Sequence, residues 1–284
     1  MMDTILDRHT DRGIPKVIHY CWFGKGEKPP IVQDCIKSWK EYCPEWCIVE
    51  WTESNFDVNC CEYTKEAYAK KKWAFVSDVA RLIILYENGG VYLDTDVELT
   101  ASLPEEWLQY KSFLFFEFES RIATGLGFGC EKGNKCIKYM IDDYSDRRFI
   151  KENGKLNLEA CTYYNTNALE QYFESLKLND KFQVIDGNAF MSTGMYNQVA
   201  CHHYASSWTD SPKNKIEKKR EWKDSKNKRF LRNPDRQRWV RSHTGERVSK
   251  IYTFIAYDLT EMGLTFYLKR WCKKYVLKQE KGKE

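Results

Sequence analysis

Asp94 and Asp96, two carboxylates one residue apart, close the short apolar run Gly89-Gly90-Val91-Tyr92-Leu93. Two hard oxygen ligands on one side of a chain leave the rest of an octahedral shell to water and phosphate, the way Mg²⁺ and Mn²⁺ are held beside nucleotides. The same pair also suits two solvated carboxylates at the end of a strand. Asp78 and Arg81 are three residues apart and share one face near the start of a helix, where they can pair with each other or serve a ligand. Far downstream, Cys201-His202-His203-Tyr204-Ala205-Ser206-Ser207-Trp208 gathers imidazoles, hydroxyls and an indole.

Regular elements must position these groups. Ile14 to Gly24 reads as a buried strand (16–22) ending in the aromatic pair Trp22-Phe23 and a Gly turn, the place where α/β sheets bind ligands. A helix is expected over 31–42, with Val32, Cys35, Ile36 and Trp39 on one face, then a strand over 47–51 and a helix around 62–72. Val79, Ile83 and Tyr86 mark a well-buried helix over 76–87, stopped by Gly89-Gly90 as a left-handed cap, and a strand follows over 91–94. That strand is expected to put Asp94 and Asp96 on one side. Residues 113–130 suit a hairpin turning at 121–127, and 134–145 and 165–177 suit helices. Strands alternating with helices predict an α/β, mostly parallel, doubly wound sheet flanked by helices.

Taken in order, the segments IPKVIHYCWFG, SWKEYCPEW, KKWAFVSDVARLIILYENGGVYLDTDVE, ATGLGFGCEKGN and HHYASSW resemble the glycosyltransferases with a DXD sugar-binding motif. That family (glycosyltransferase family 32) groups fungal mannosyltransferases with bacterial capsular-polysaccharide and lipopolysaccharide transferases, and the resemblance runs from about Ile14 to Trp208. It implies a GT-A, Rossmann-like fold, a nucleotide-sugar donor (a UDP-sugar or GDP-mannose), Mn²⁺ or Mg²⁺, and transfer with retention to a glycan or lipid-linked acceptor in surface polysaccharide synthesis. Carried over by position, Trp22 would stack on the base, Asp78 and Arg81 would hold the donor, and Tyr92 would face the ribose or diphosphate. Asp94 would touch the ribose and the metal's water shell, and Asp96 would ligate the metal. His203 would be the third metal ligand, with His202 the alternative, and Ser206, Ser207 and Trp208 would close over the β-phosphate. The chain departs from the family pattern at Ile122-Ala123-Thr124-Gly125-Leu126 and at Asn165-Thr166-Asn167, so the sugar and any nucleophile stay open. Other functional classes compatible with the residues are a metal-dependent phosphohydrolase and a non-catalytic membrane-associated scaffold.

Charge divides the chain. Residues 1–209 hold 23 Lys and Arg against 31 Asp and Glu, whereas 210–284 hold 22 against 10, a tail of +12 on a body of −8. The expectation is a catalytic domain over 1–209 and a basic, partly amphipathic helical extension over 210–284. Ile251, Phe254, Ile255, Leu259, Met262 and Phe266 recur at helical spacing in that extension, which reads either as a contact with anionic membrane or as packing on the main domain. No nucleic-acid-binding motif accompanies the basic residues, so nucleic acid is not expected as a partner. No run approaches the ~18 apolar residues of a membrane span, and Met1 to Arg12 lacks a signal-peptide core, which places the protein in the cytoplasm or at the inner face of the membrane. Eleven cysteines, an odd number, suit reduced core thiols, with a zinc knot of Cys43, Cys47, Cys60 and Cys61 as the alternative.

Overall fold

A computed structural model of the chain describes residues 13–117, 121–176 and 182–203. The expected extension 210–284, and with it the apolar stripe and any membrane contact, lies outside the described residues, as do Ser206, Ser207 and Trp208.

Among the described residues one sheet organises the body. Strand β1 (Val17–Cys21) lies between β2 (Cys47–Trp51) and β3 (Gly90–Tyr92), parallel to both, with Ile18 opposite Ile48 and Val91. β5 (Ser112–Glu117) and β9 (Asn188–Ser192) form a second parallel pair. β7 (Phe128–Cys130) joins the halves, antiparallel to both β3 and β5, and β8 (Phe182–Ile185) pairs antiparallel with β9 at the edge. The expected hairpin over 113–130 is therefore opened: β6 (Arg121–Ile122) folds back on β5, while β7 is inserted between β3 and β5. The strand order is β2-β1-β3-β7-β5-β9-β8.

Alternation along the strands divides the core into two layers. Phe113 and Phe115 of β5, Ala189 and Met191 of β9 and Val91 of β3 face one layer, while Leu114 and Phe116, Phe190 and Tyr92 face the other. The second layer is covered by α2 (Glu62–Ala69), α3 (Trp73–Asn88), α4 (Lys135–Asp143) and α5 (Cys161–Tyr172). The first is covered by α1 (Pro30–Tyr42), which starts on a proline and buries Val32, Cys35, Ser38 and Trp39. α1 also fixes β4 (Val97–Leu99), because the Trp39 indole donates to the Val97 carbonyl at 2.8 Å and the Ser38 hydroxyl accepts from Leu99 N–H at 2.9 Å.

The end of α3 departs from the expected left-handed cap. Gly89 has φ +70° but an extended ψ of −171°, so the chain passes straight from helix into strand while Gly89 N–H still bonds the Leu85 carbonyl at 2.8 Å. A side chain is excluded there, since a Cβ on Gly89 would sit 2.9 Å from Pro15 Cδ, and one on Gly90 2.8 Å from the Val17 carbonyl oxygen. His19 locks the junction. The Trp51 indole donates to its Nδ1 at 3.0 Å, which leaves Nε2–H to donate to the Gly89 carbonyl, also at 3.0 Å.

Burial opposes charging of His19 and lowers its pKa to about 4, against the raising effect of the Gly89 carbonyl. Between that value and the ordinary 6.5 the unfolded chain binds a proton that the folded chain refuses, so this contribution is intact above about pH 6.5 and is lost as pH falls toward 4. The difference is on the order of 3 kcal/mol at full extent. Urea midpoints at pH 7 and pH 4.5 should therefore differ less in His19→Gln than in the wild type; equal pH dependence would mean His19 is not protected from protonation.

Candidate functional site

Arg81 is the centre of the site. It projects from α3 one turn after Ser77 and Asp78, and its side chain is only 4% exposed. Its Nη2 lies 3.0 Å from Asp78 Oδ1 and 3.1 Å from Asp94 Oδ1. Nε donates to the Ser77 carbonyl at 3.1 Å, and Nη1 makes a long contact of 3.5 Å with Thr124 Oγ1. The Tyr92 ring lies 5.0 Å from the guanidinium carbon, and the Tyr92 hydroxyl donates to Asp94 Oδ1 at 3.0 Å. The fork of Arg81 is engaged by protein partners, and Tyr92, 1% exposed, is held against Asp94. Buried polar groups must be paired, and the partners that pair these two are internal.

Asp94 and Asp96 lie beyond the end of β3, on a turn closed by Val97 N–H on the Asp94 carbonyl at 2.9 Å, and not within a strand over 91–94. Their side chains still converge. One ligand atom from each of Asp94, Asp96 and His202 lies within 4.8 Å of the others, and His202 Nε2 is 3.0 Å from Asp96 Oδ1. The histidine comes from β10 (Ala200–His202), which pairs antiparallel with β4 so that His202 stands opposite Val97. His203, expected as the metal ligand, points elsewhere because consecutive residues of a strand face opposite sides. Its backbone N–H bonds the Asp96 carbonyl at 2.9 Å, but its Nε2 is 3.1 Å from Glu98 Oε2 in a buried pair. Among the described residues Asp94, Asp96 and His202 form the one group of three or more ligating side chains this close, so Cys43, Cys47, Cys60 and Cys61 make no zinc knot.

Two carboxylates, Asp78 and Asp94, share one guanidinium, and a third, Asp96, pairs with His202. Burial pushes Asp94 up to about 6, a shift opposed by Arg81 and His202 and reinforced by the charge of Asp96. Asp78 is likewise raised by burial and held down by Arg81 and by a hydrogen bond from Cys161. Arg81 is raised well above its usual value, its carboxylate neighbours outweighing the cost of burial. A surplus of carboxylate on one edge, with an imidazole beside it, is a donor set that suits a divalent cation of the Mg²⁺ or Mn²⁺ type.

Trp22 follows β1 at the same sheet edge, since β1 and β3 run parallel. It is half-buried; its indole donates to the Gly26 carbonyl at 2.7 Å, and Lys28 Nζ lies 5.8 Å from the ring. Thr124, Gly125 and Asn165 also belong to the site, in the two segments whose departure from the family pattern leaves the sugar open, although none of the three was given a role of its own. Asn165 Nδ2 donates to Thr124 Oγ1 at 3.0 Å, and a Cβ on Gly125 would approach Asp94 Oδ2 to 2.8 Å. The only signal available was that both segments depart from the family pattern.

Residues 29–114, from the start of α1 into β5, match the family model of the glycosyltransferase sugar-binding region containing DXD motif. The chain is also 22% identical over 185 residues to Subversion of eukaryotic traffic protein A of Legionella pneumophila, covering 55% of this chain and 29% of that protein. It therefore spans less than a third of the length of this curated relative. Among solved structures it is similar to the PaToxG glycosyltransferase, with a TM-score of 0.44 and 17% identity over 57% of this chain and 71% of that one. A glycosyltransferase involved in the glycosylation of the major capsid of PBCV-1 gives a TM-score of 0.38 and 10% identity, over 73% and 99%. The matched span, residues 29–114, holds Asp78, Arg81, Tyr92, Asp94 and Asp96, and there the chain is similar to the glycosyltransferase sugar-binding region containing DXD motif.

Proposed function

We propose that the protein is a cation-dependent glycosyltransferase that takes its sugar from a nucleoside diphosphate sugar, with Asp94, Asp96 and His202 as the protein ligands of Mn²⁺ or Mg²⁺. The observation that carries this reading is the convergence of those three side chains beside the Asp78–Arg81 pair, at the end of a span matched to a DXD sugar-binding region. When bound, such a cation acts as a Lewis acid that offsets charge growing on the leaving diphosphate. The chain's own residues prepare the place. Arg81 and the Tyr92 hydroxyl both bond Asp94 Oδ1 and so fix the plane of that carboxylate. Asp78 Oδ1 is tied to Arg81, and Asp78, whose side chain is 13% exposed, is the acceptor for sugar hydroxyls. Trp22, at the same sheet edge, is the platform for the base. A UDP-sugar, or GDP-mannose, is the donor in this reading, transfer is with retention, and the acceptor is a glycan or lipid-linked sugar of a surface polysaccharide. The +12 of residues 210–284 supports an anionic acceptor or membrane face.

The test is nucleoside diphosphate binding with and without Mn²⁺, followed by a screen of nucleotide-sugars for slow hydrolysis and transfer. Binding that ignores the cation would overturn the reading, and release of inorganic phosphate without sugar transfer would favour a phosphohydrolase. The two histidines separate sharply here. His202→Ala and Asp96→Asn should each lower Mn²⁺-dependent turnover at least about a hundredfold, roughly 2.7 kcal/mol in barrier. His203→Ala should instead lower the melting temperature, by stranding Glu98 in the interior, and leave Mn²⁺ affinity within a few-fold of wild type.

Gly125→Ala gives an independent check. The added methyl meets Asp94 Oδ2, so the carboxylate must move. We expect the Mn²⁺ concentration for half-maximal turnover to rise about tenfold or more with little loss of thermal stability, and an unchanged Mn²⁺ dependence would remove Asp94 from the ligand set.

A further inference from the structure

Asn165 stands in the interior of α5 and is 1% exposed, yet asparagine is a poor helix former and its Oδ1 has no hydrogen-bond partner among the described residues. Reversing the amide would strand the nitrogen instead. An unpaired buried polar head costs stability, and a leucine of similar size would pack there without that cost. Packing alone therefore gives no reason for an amide at this position.

The bonded head of the amide reaches the cation site through a turn. Residues 123–126 turn between β6 and β7, closed by Leu126 N–H on the Ala123 carbonyl at 3.2 Å and anchored at the entrance by Ala123 N–H on the Phe115 carbonyl at 2.9 Å. Two consecutive side chains of α5 grip this turn. Thr166 Oγ1 accepts from Ile122 N–H at 2.9 Å, just before it, and Asn165 Nδ2 donates to Thr124 Oγ1 at 3.0 Å, at its tip. Thr124 is fully buried, and Gly125 beside it lies so near the carboxylate that a Cβ there would come within 2.8 Å of Asp94 Oδ2 and 3.4 Å of Arg81 Nη1. Asp94 Oδ1 is already held by Arg81 and the Tyr92 hydroxyl. The tip of the turn is the wall on the side of the other oxygen.

We propose that Asn165 is a positioning residue for the cation site: through Thr124 it holds Gly125 against Asp94 and so sets where Oδ2 can stand. This role rests on Asp94, Asp96 and His202 being the cation ligands. A small divalent cation demands closely placed oxygens, so a carboxylate oxygen with room to shift binds it more weakly. Without the Asn165 bond the tip loses its tie to α5, and Asp94 Oδ2 gains that room.

The experiment measures Mn²⁺ affinity of the full chain by electron paramagnetic resonance and its melting temperature without metal, both independent of turnover. Asn165→Leu should weaken Mn²⁺ binding about tenfold, while the metal-free melting temperature stays level or rises because an orphaned polar head has gone. Thr124→Ser keeps the oxygen and should hold Mn²⁺ affinity within about twofold of wild type. The double variant Thr124→Val with Asn165→Leu swaps two polar partners for two apolar ones, and it decides the matter should the single leucine variant fold poorly. It should bind Mn²⁺ no more weakly than Asn165→Leu alone, since both changes cut one tie. Coupling is reciprocal, so in the wild type Mn²⁺ should slow hydrogen exchange at the Ile122 and Leu126 amides. Wild-type affinity in Asn165→Leu, a loss of affinity accompanied by a lower melting temperature, or amide exchange indifferent to bound Mn²⁺ would overturn the proposal. A wild-type chain that binds no Mn²⁺ would instead overturn the ligand set itself, and this role with it.

Discussion

The Arg81 guanidinium is the constraint on which the rest of the site depends. One buried cation answers Asp78 from its own helix and Asp94 from the turn after β3, and it rests against the Tyr92 ring. Removing it would leave the partly buried carboxylates of Asp78 and Asp94 without a counter-charge. The cost of burying it is offset because Nε, Nη1 and Nη2 all have partners among described residues. A lysine could not supply that fork, since its ammonium is a point charge on a flexible stem.

Everything around this ion pair holds two elements still. α3 must end where β3 begins, and the junction is pinned from below by His19 and closed to side chains at Gly89 and Gly90. The turn bearing Asp96 must stay put, and α1 ensures this from the other layer through Trp39 on Val97 and Ser38 on Leu99. Asp94 is thus positioned by the helical layer and Asp96 by the opposite one. The cation set sits where the two meet.

The parts legible in the sequence were those with local signatures. Alternation and helical spacing placed β1, α1, β2 and α3 within a few residues, and Asp78 with Arg81 was readable because i, i+3 neighbours share a helix face. The three-residue β7, Phe-Gly-Cys, carries almost no periodic signal, so its insertion between β3 and β5 was hidden and the hairpin was the natural expectation. The start of α5 at Cys161 was missed too, because no capping side chain marks it. At the site, the carboxylates were evident, but the choice between His202 and His203 depends on the register of β10 against β4, set about a hundred residues away. Nothing near those histidines encodes that register. For the same reason the long-range partner of Arg81, Asp94, could not be told from its local one.

The β4–β10 ladder joins only three residues on each side, yet it supplies the nitrogen to a cluster whose oxygens are already fixed. So short a ladder is among the first places a protein opens locally, at a fraction of the free energy of global unfolding. A ligand that needs all three groups binds the closed form alone, and by mass action it must stabilise the closure by as much as it gains from it. Occupancy of the site and docking of the last described strand are therefore one equilibrium. During synthesis the carboxylates emerge about a hundred residues before the imidazole that completes them, so a nascent chain can build the sheet well before it can hold the ion firmly.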